Sequence, residues 1–331
     1  AFGFGGFFSA DEKGQPEIKP QRTRETEFGL ELGLMDNRLG LDLAMYSART
    51  TDAIFFATLP PSTGYKNQAR NAGVLTRKGL EMGLQIRALN RPGIRWDLQA
   101  QYGRNRNKVV SLPGAEVIRF GWLNVSAALE GYPLGVFYGS FNFIRFGRGI
   151  KVEGVDIDSA YPQARPGDLY IAENGYPIND PEARVAGDHN PDWTGSVRNT
   201  VTLFDNLELS SLIDIRNGGV AFNGTRGALY HFGTHKDTED RETLHIFEGR
   251  GPGSGKSVLR DQTWYTGLGS GFGGVASQFL EDAGYVKLRE VSVAYTFRGP
   301  AVRRIGLDSV ILRLSGRNLV TWTGFTGLDP D

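Results

Sequence analysis

Between Leu30 and Tyr46 the chain reads LELGLMDNRLGLDLAMY, with an apolar residue at every second position on both sides of an Asp-Asn pair. Successive side chains of a strand point to opposite faces, so this alternation predicts two strands with one apolar face each. Asp36-Asn37 has the chemistry of a two-residue hairpin loop. Such a loop opposes Leu34 with Leu39, Leu32 with Leu41, Leu30 with Leu43 and Phe28 with Met45, all on one face. The other face collects Glu27, Gly29, Glu31, Gly33, Arg38, Gly40, Asp42 and Ala44.

The pattern recurs. Leu80, Met82, Leu84, Ile86 and Ala88 alternate with Glu81, Gly83, Gln85 and Arg87; Trp96, Leu98, Ala100 and Tyr102 alternate with Asp97, Gln99, Gln101 and Gly103. Read as an odd-numbered loop, NRPGI from Asn90 to Ile94 keeps both apolar sets on one side. In a third hairpin, Val197, Val201 and Leu203 match Leu209, Ser211, Ile213 and Ile215 only if the loop at Asp205-Asn206 is odd or a bulge intervenes. A fourth pairs YVKLREVSVAYTF, from Tyr285, with VILRLSGRNL, from Val310.

The expected strands approach the roughly 9 to 11 residues of a tilted membrane-spanning strand. Turns within hairpins are short, whereas Arg49 to Arg77, Ser111 to Gly195 and Asn217 to Ala283 read as long connections. An outer-membrane barrel has this asymmetry, and a compact soluble domain does not. The competing reading is a soluble β-sandwich or lipocalin-like barrel with the leucines inside. Glycine placement favours the membrane reading, because glycine suits strands facing a crowded lumen better than a solvated strand face.

Composition changes the picture in three places. Glycine, at 45 of 331 residues, is about twice the usual 7 % and argues against a mostly helical protein. Formal charge is zero, from 37 basic and 37 acidic residues, so no electrostatic excess of the whole chain points to nucleic acid or to an anionic membrane surface. The absence of cysteine excludes disulfides and thiolate metal sites. No apolar run approaches a spanning helix, which leaves a β-barrel open.

Several stretches together resemble the SusC/RagA family of TonB-linked outer-membrane transporters. They are IKPQRTRETEFGLELGLMDNRLGLDLAMYSARTTDAI from Ile18, LPPSTGYKNQARNAGVLTRKGLEMGL from Leu59, EGYPLGVFYG from Glu130 and NPDWTGSVRNTV from Asn190. FLEDAGYVKLREVSVAYTF from Phe279 and SGRNLVTWTGFTGLDPD from Ser315 complete the set. The resemblance implies an all-β fold: a transmembrane antiparallel β-barrel with long extracellular loops, of which residues 1–331 form part of a 22-stranded plugged barrel. The plug, the TonB-contacting segment and the first and last strands are then expected outside this chain. It further implies TonB-dependent import of a nutrient such as an oligosaccharide or peptide across a Gram-negative outer membrane. The implied partners are the TonB complex through the plug region, outer-membrane lipid and a SusD-like surface lipoprotein lid. A structural or scaffolding barrel without transport is the alternative.

Candidate residues fall into three groups. Glu27, Glu31, Arg38, Asp42, Glu81, Arg87 and Asp97 share the polar face and would line a lumen or meet a plug, or else form a plain solvated wall. Trp96, Tyr102, Tyr295 and Phe297 suit an interfacial aromatic girdle. In the loops Trp122, Tyr138, Asn174, Tyr176, Trp193, Arg216 and Asn217 would bind substrate, aromatics stacking on sugar rings or peptide side chains and polar groups supplying hydrogen bonds. Tyr132, Phe137, Tyr161, Trp264, Tyr265, Asn179 and Asp180 belong to the same loops, and the competing role for any of them is packing within its own loop.

No metal or cofactor is expected. Tyr176 and Pro177 break the ligand alternation a calcium loop would need in ENGYPINDPE. HFGTH, from His231, lacks the glutamate of a zinc protease motif, and GRGPGSGKS, from Gly249, misses the phosphate-loop spacing and reads as a flexible external loop. No nucleophile and base pair stands out, so no enzyme is expected.

Overall fold

The computed structural model describes residues 11–121 and 125–330. The chain divides into two compact units.

The first unit is built on eight long strands: β1 (Arg22–Leu34), β2 (Leu39–Thr58), β3 (Asn67–Arg91), β4 (Ile94–Ser111), β5 (Trp193–Leu203), β6 (Leu207–Asn217), β7 (Tyr285–Phe297) and β8 (Val310–Thr323). Each pairs antiparallel with its neighbour in chain order, and β1 and β8 are the outer strands. The first hairpin has the expected register, Leu34 to Leu39 through Phe28 to Met45. Asp36 and Asn37 sit at φ 53° and 59°, the left-handed backbone that a two-residue hairpin loop demands.

Three local expectations change or resolve. The β3–β4 loop is the two-residue Pro92-Gly93, and a bulge between Arg87 and Leu89 restores the parity assigned above to an odd loop. The β5–β6 loop is odd, with Leu203 opposite Leu207. The stretch from Arg49 to Arg77 is mostly strand: β2 and β3 run 20 and 25 residues, leaving only a short connection. Alternation fails there because a bulge at Thr50–Ala53, with Asp52 at φ 53°, switches the faces.

Asn71 closes this bulge. Its Nδ2 donates to the carbonyls of Asp52 (2.8 Å) and Lys19 (2.7 Å), and its Oδ1 accepts from the Lys19 N–H (2.7 Å). A buried cluster of Ala72, Val109, Leu112, Ile118 and Ala128 packs beside it, with Phe55 and Leu75 at its margin.

Register carries the face pattern across the whole sheet. One row runs Leu30, Leu43, Met82, Tyr102, Gly195, Ile215, Val286, Trp322; the next apolar row runs Leu32, Leu41, Leu84, Ala100, Val197, Ile213, Leu288, Val320. Between them lies Glu31, Asp42, Gly83, Gln101, Ser196, Asp214, Lys287, Thr321. The apolar face is open: Phe28 is 60 % exposed and Leu314 78 %, with Leu30, Leu32, Leu34, Met45, Met82 and Trp322 also exposed. Seven strand spacings by the height between aromatic rows make this face roughly 34 Å by 21 Å, about 700 Å². Soluble monomers rarely show an apolar patch that large.

The second unit comprises Val136–Asp188, Val220–Asp282 and the chain from Phe325. The connections expected as long loops thus fold into a unit with two cores of its own. Ile144, Phe146, Ile150, Ile157 and Tyr170 form one. Phe143, Trp264, Tyr265 and Val275 form the other. Its short helices start on side-chain caps, Asn223 for Gly224–His231 and Asp261 for Gln262–Thr266.

Candidate functional site

The polar face of the sheet is concave. A pocket of about 900 Å³ opens on it, lined by Glu31, Asp42, Glu81, Gly83, Gln101, Gly103, Thr194, Ser196 and Asp214. Small residues keep the wall low, and one makes room for a larger neighbour: the Tyr46 ring lies where a Gly79 side chain would stand. A smaller concavity of about 300 Å³ near the turns includes Arg38, Arg87 and Asp97. Six of the seven expected wall residues therefore line one of these two hollows. Glu27 lies one row higher, opposite Tyr46.

Towards β8 the wall carries compensated charge. Arg289, the extra residue of a β7 bulge, donates from Nε to Asp214 (2.9 Å), and Glu290 pairs with Arg317 (3.2 Å) and Arg198 (3.8 Å). Asp97 pairs with Arg95 (3.3 Å) and Arg87 (3.6 Å). Lys287 is only 1 % exposed, its ammonium 4.2 Å from the Tyr285 ring centre. Such a face is water-compatible and balanced.

The girdle residues separate into two groups, at opposite ends of the apolar face. Trp96, Tyr295 and Phe297 lie towards the hairpin turns, with the Tyr295 and Phe297 rings 4.6 Å apart edge to face. Tyr102 lies at the opposite end, in the row of Trp322. The eight register steps from Val286 to Tyr295, with Arg289 as the bulged extra residue, rise about 21 Å at a tilt near 40°, close to the roughly 25 Å apolar band of an outer-membrane barrel. Trp193, expected to bind substrate, instead stacks on Tyr102 at 5.7 Å. It begins β5 at the parity of that face, one row above Gly195 and Tyr102. Trp322 was missed because the expected strand ended at Leu319, whereas β8 continues to Thr323.

Other loop candidates are engaged in structure. Tyr176 stacks on Trp264 (5.8 Å), and its hydroxyl donates to the Leu259 carbonyl (2.5 Å). Burial and the nearby Asp261 charge push that phenol up, against the hydrogen bond to Leu259. Asn174 accepts from the Tyr176 N–H in a tight turn. Asp180, 1 % exposed, pairs with Arg184 at 2.8 Å. Tyr138 lies half-buried in the strand Val136–Gly139. Arg216 donates to the His189 carbonyl (2.6 Å), and Asn217 ends β6 opposite Trp193. Trp122 lies outside the described residues. The structure thus gathers six wall residues at the two hollows, and places Tyr138, Asn174 and Tyr176 in the second unit and Trp193, Arg216 and Asn217 in the first.

Two features of the second unit escaped sequence reasoning. Glu281, in FLEDAG, accepts from Arg226 (2.9 Å), Asn223 (3.2 Å) and the Thr326 N–H (2.7 Å), which joins that motif to the TGLDPD stretch. Burial acts to raise this carboxyl, and the bonds from Thr326, Arg226 and Asn223 outweigh it, holding it below the usual range. GRGPGSGKS is no loose loop: Arg250 exchanges backbone bonds with Leu169 and Ile171, and Gly253 rides against Ala172. Glycine is required there for close backbone approach.

The family described as "TonB dependent receptor-like, beta-barrel" matches residues 1–319. TonB-dependent receptor P3 of Formosa agariphila is 26 % identical over 95 % of this chain and 31 % of its own length. TonB-dependent receptor P26 of the same organism is also 26 % identical, over 96 % and 32 %. The chain spans about a third of these relatives. Among solved structures, the RagAB peptide transporter superposes with a TM-score of 0.64 at 18 % identity, over 94 % of this chain and 33 % of that one. The RagAB peptide importer in its "open-open" state gives 0.63 at 20 %, over 95 % and 32 %.

Proposed function

We propose that this chain, which belongs to the TonB-dependent receptor-like β-barrel family, forms a wall sector and the long surface loops of a SusC/RagA-type outer-membrane importer. The observation that carries the proposal is the inverted sheet: polar and glycine-rich on its concave face, apolar and open on its convex one. A surface of this kind suits a barrel holding water or a plug inside and lipid outside.

In this reading TonB pulls on the plug of the full-length protein to open a path along the polar wall. The cargo is an oligosaccharide or a peptide, captured at the loop end beneath a SusD-like lipoprotein lid. Likeness to a peptide transporter supports the peptide option. Proteins of this family sit in the outer membrane of Gram-negative bacteria, and the girdle groups fit that setting.

The test is deletion of the TonB-contacting segment from the full-length protein. Uptake of the cargo should vanish while the barrel keeps its heat-modifiable gel mobility. Unchanged uptake contradicts the proposal.

A further inference from the structure

The apolar face does not end in neutral residues at the loop end. Above the Leu30, Leu43, Met82, Tyr102 row, the next row is Phe28, Met45, Leu80, Arg104. Then come Thr26, Ser47, Lys78, Arg106, and above these Arg24, Arg49, Thr76, Lys108, with Arg22 opposite Thr51 at the top. All of these cations are exposed. No Asp or Glu holds an apolar-face position of β1–β4 between Arg22 and Lys108. Among the described residues, Arg106 of this group pairs with Asp192.

One pairing is unfavourable as it stands: Arg24 sits directly opposite Arg49. Lys78 sits directly opposite Arg106, whose charge Asp192 meets. Like charges directly across an antiparallel pair destabilise it. Residues that repel in the protein alone become favourable around an anion that bridges them, and Arg and Lys offer phosphate charge-assisted hydrogen bonds. Thr26, Ser47 and Thr76 add hydroxyl donors in the same rows. The cations begin about 5 Å beyond the upper aromatic row, where the headgroup layer starts, and climb to about 15 Å at Arg24, Arg49 and Lys108 and about 20 Å at Arg22.

We propose that this basic patch on the outer face of β1–β4 binds the phosphate groups of an anionic lipid in the leaflet on the loop side. Charge complementarity and continuity with the lipid-facing leucines select a lipid headgroup as the occupant. The inference rests on the barrel reading given above.

The test uses the full-length receptor in mild detergent, titrated with diphosphorylated lipid A and with its dephosphorylated form and read by native mass spectrometry. The phosphorylated lipid should bind at least tenfold more tightly. The triple variant Arg24→Gln, Arg49→Gln, Lys78→Gln should lose tenfold or more of that affinity, with an unchanged or higher melting temperature in lipid-free detergent. Equal binding of both lipids, equal binding by variant and parent, or equal displacement by the same concentration of inorganic phosphate overturns the proposal. Should the triple variant misfold, Arg24→Gln alone should weaken binding about threefold, and no change there is equally decisive. Uptake is scored separately: a receptor that retains the lipid yet ignores loss of its TonB-contacting segment counts against the transport reading alone.

Discussion

Gln85 and Ile86 are neighbours in β3 on opposite faces of the sheet, Gln85 opposite Gly40 and Gln99, Ile86 opposite Leu39 and Leu98. Ile86 lies four positions below Met82 in the upper aromatic row, about 10 Å into the apolar band and so near its middle. A lysine there should cost about 2–4 kcal/mol, an equilibrium shift of about thirty- to several-hundredfold. Gln85→Lys faces the wet wall and should stay within about 0.5 kcal/mol of the parent. Leu80→Lys, one row above the aromatics, should cost only about 0–1 kcal/mol. The assay is guanidinium-driven folding of the full-length protein in phospholipid vesicles, followed by tryptophan fluorescence. A packed protein interior would produce no such depth gradient. Equal costs at 85 and 86, or a cost at 80 as large as at 86, refutes the assignment of faces.

Gly253→Ala should destabilise the second unit by about 1–3 kcal/mol through overpacking, because the new Cβ collides with the Ala172 carbonyl and comes within 2.8 Å of the Gly175 nitrogen. Gly273→Ala, with nothing within 4 Å, is the control and should melt like the parent. Asn71→Ala removes three hydrogen bonds; hydrogen exchange around Lys19 should quicken, at a cost of about 1–3 kcal/mol. Acid should loosen the second unit. Asp158 is held below the usual carboxylate range by the Gly147 and Gly149 N–H groups, and Asp237 by the Tyr230 hydroxyl. Depressed carboxylates contribute stability above their ordinary pKa and lose it as pH falls through the folded value, so Asp158→Asn and Glu281→Gln should lose less than the parent between about pH 6 and about pH 3. An identical acid response would show that these groups do not set it.

Faces were legible in the sequence wherever a strand runs without interruption. Phe28 to Met45 showed its partners residue by residue because a side-chain period of two and a short turn leave one register. Bulges hid the rest. Asp52 and the Arg87–Leu89 step each change parity by one residue, and neither carries a compositional mark that a strand of ordinary residues lacks. The polar wall was legible because alternation collects it. The loop candidates were not, since tyrosine and tryptophan have the same appeal for a loop core as for a ligand. Tyr176, Trp264 and Phe143 chose each other.

The second unit is sewn from two stretches of chain, Val136–Asp188 and Val220–Asp282, separated in sequence by the β5–β6 hairpin. The core around Trp264 draws on both: Phe143 and Tyr176 come from the first stretch, Trp264 and Val275 from the second. Whoever transplants recognition from one such receptor to another must therefore move both stretches together. A single-segment graft would leave half a core without its complement, and natural recombination at one crossover faces the same obstacle.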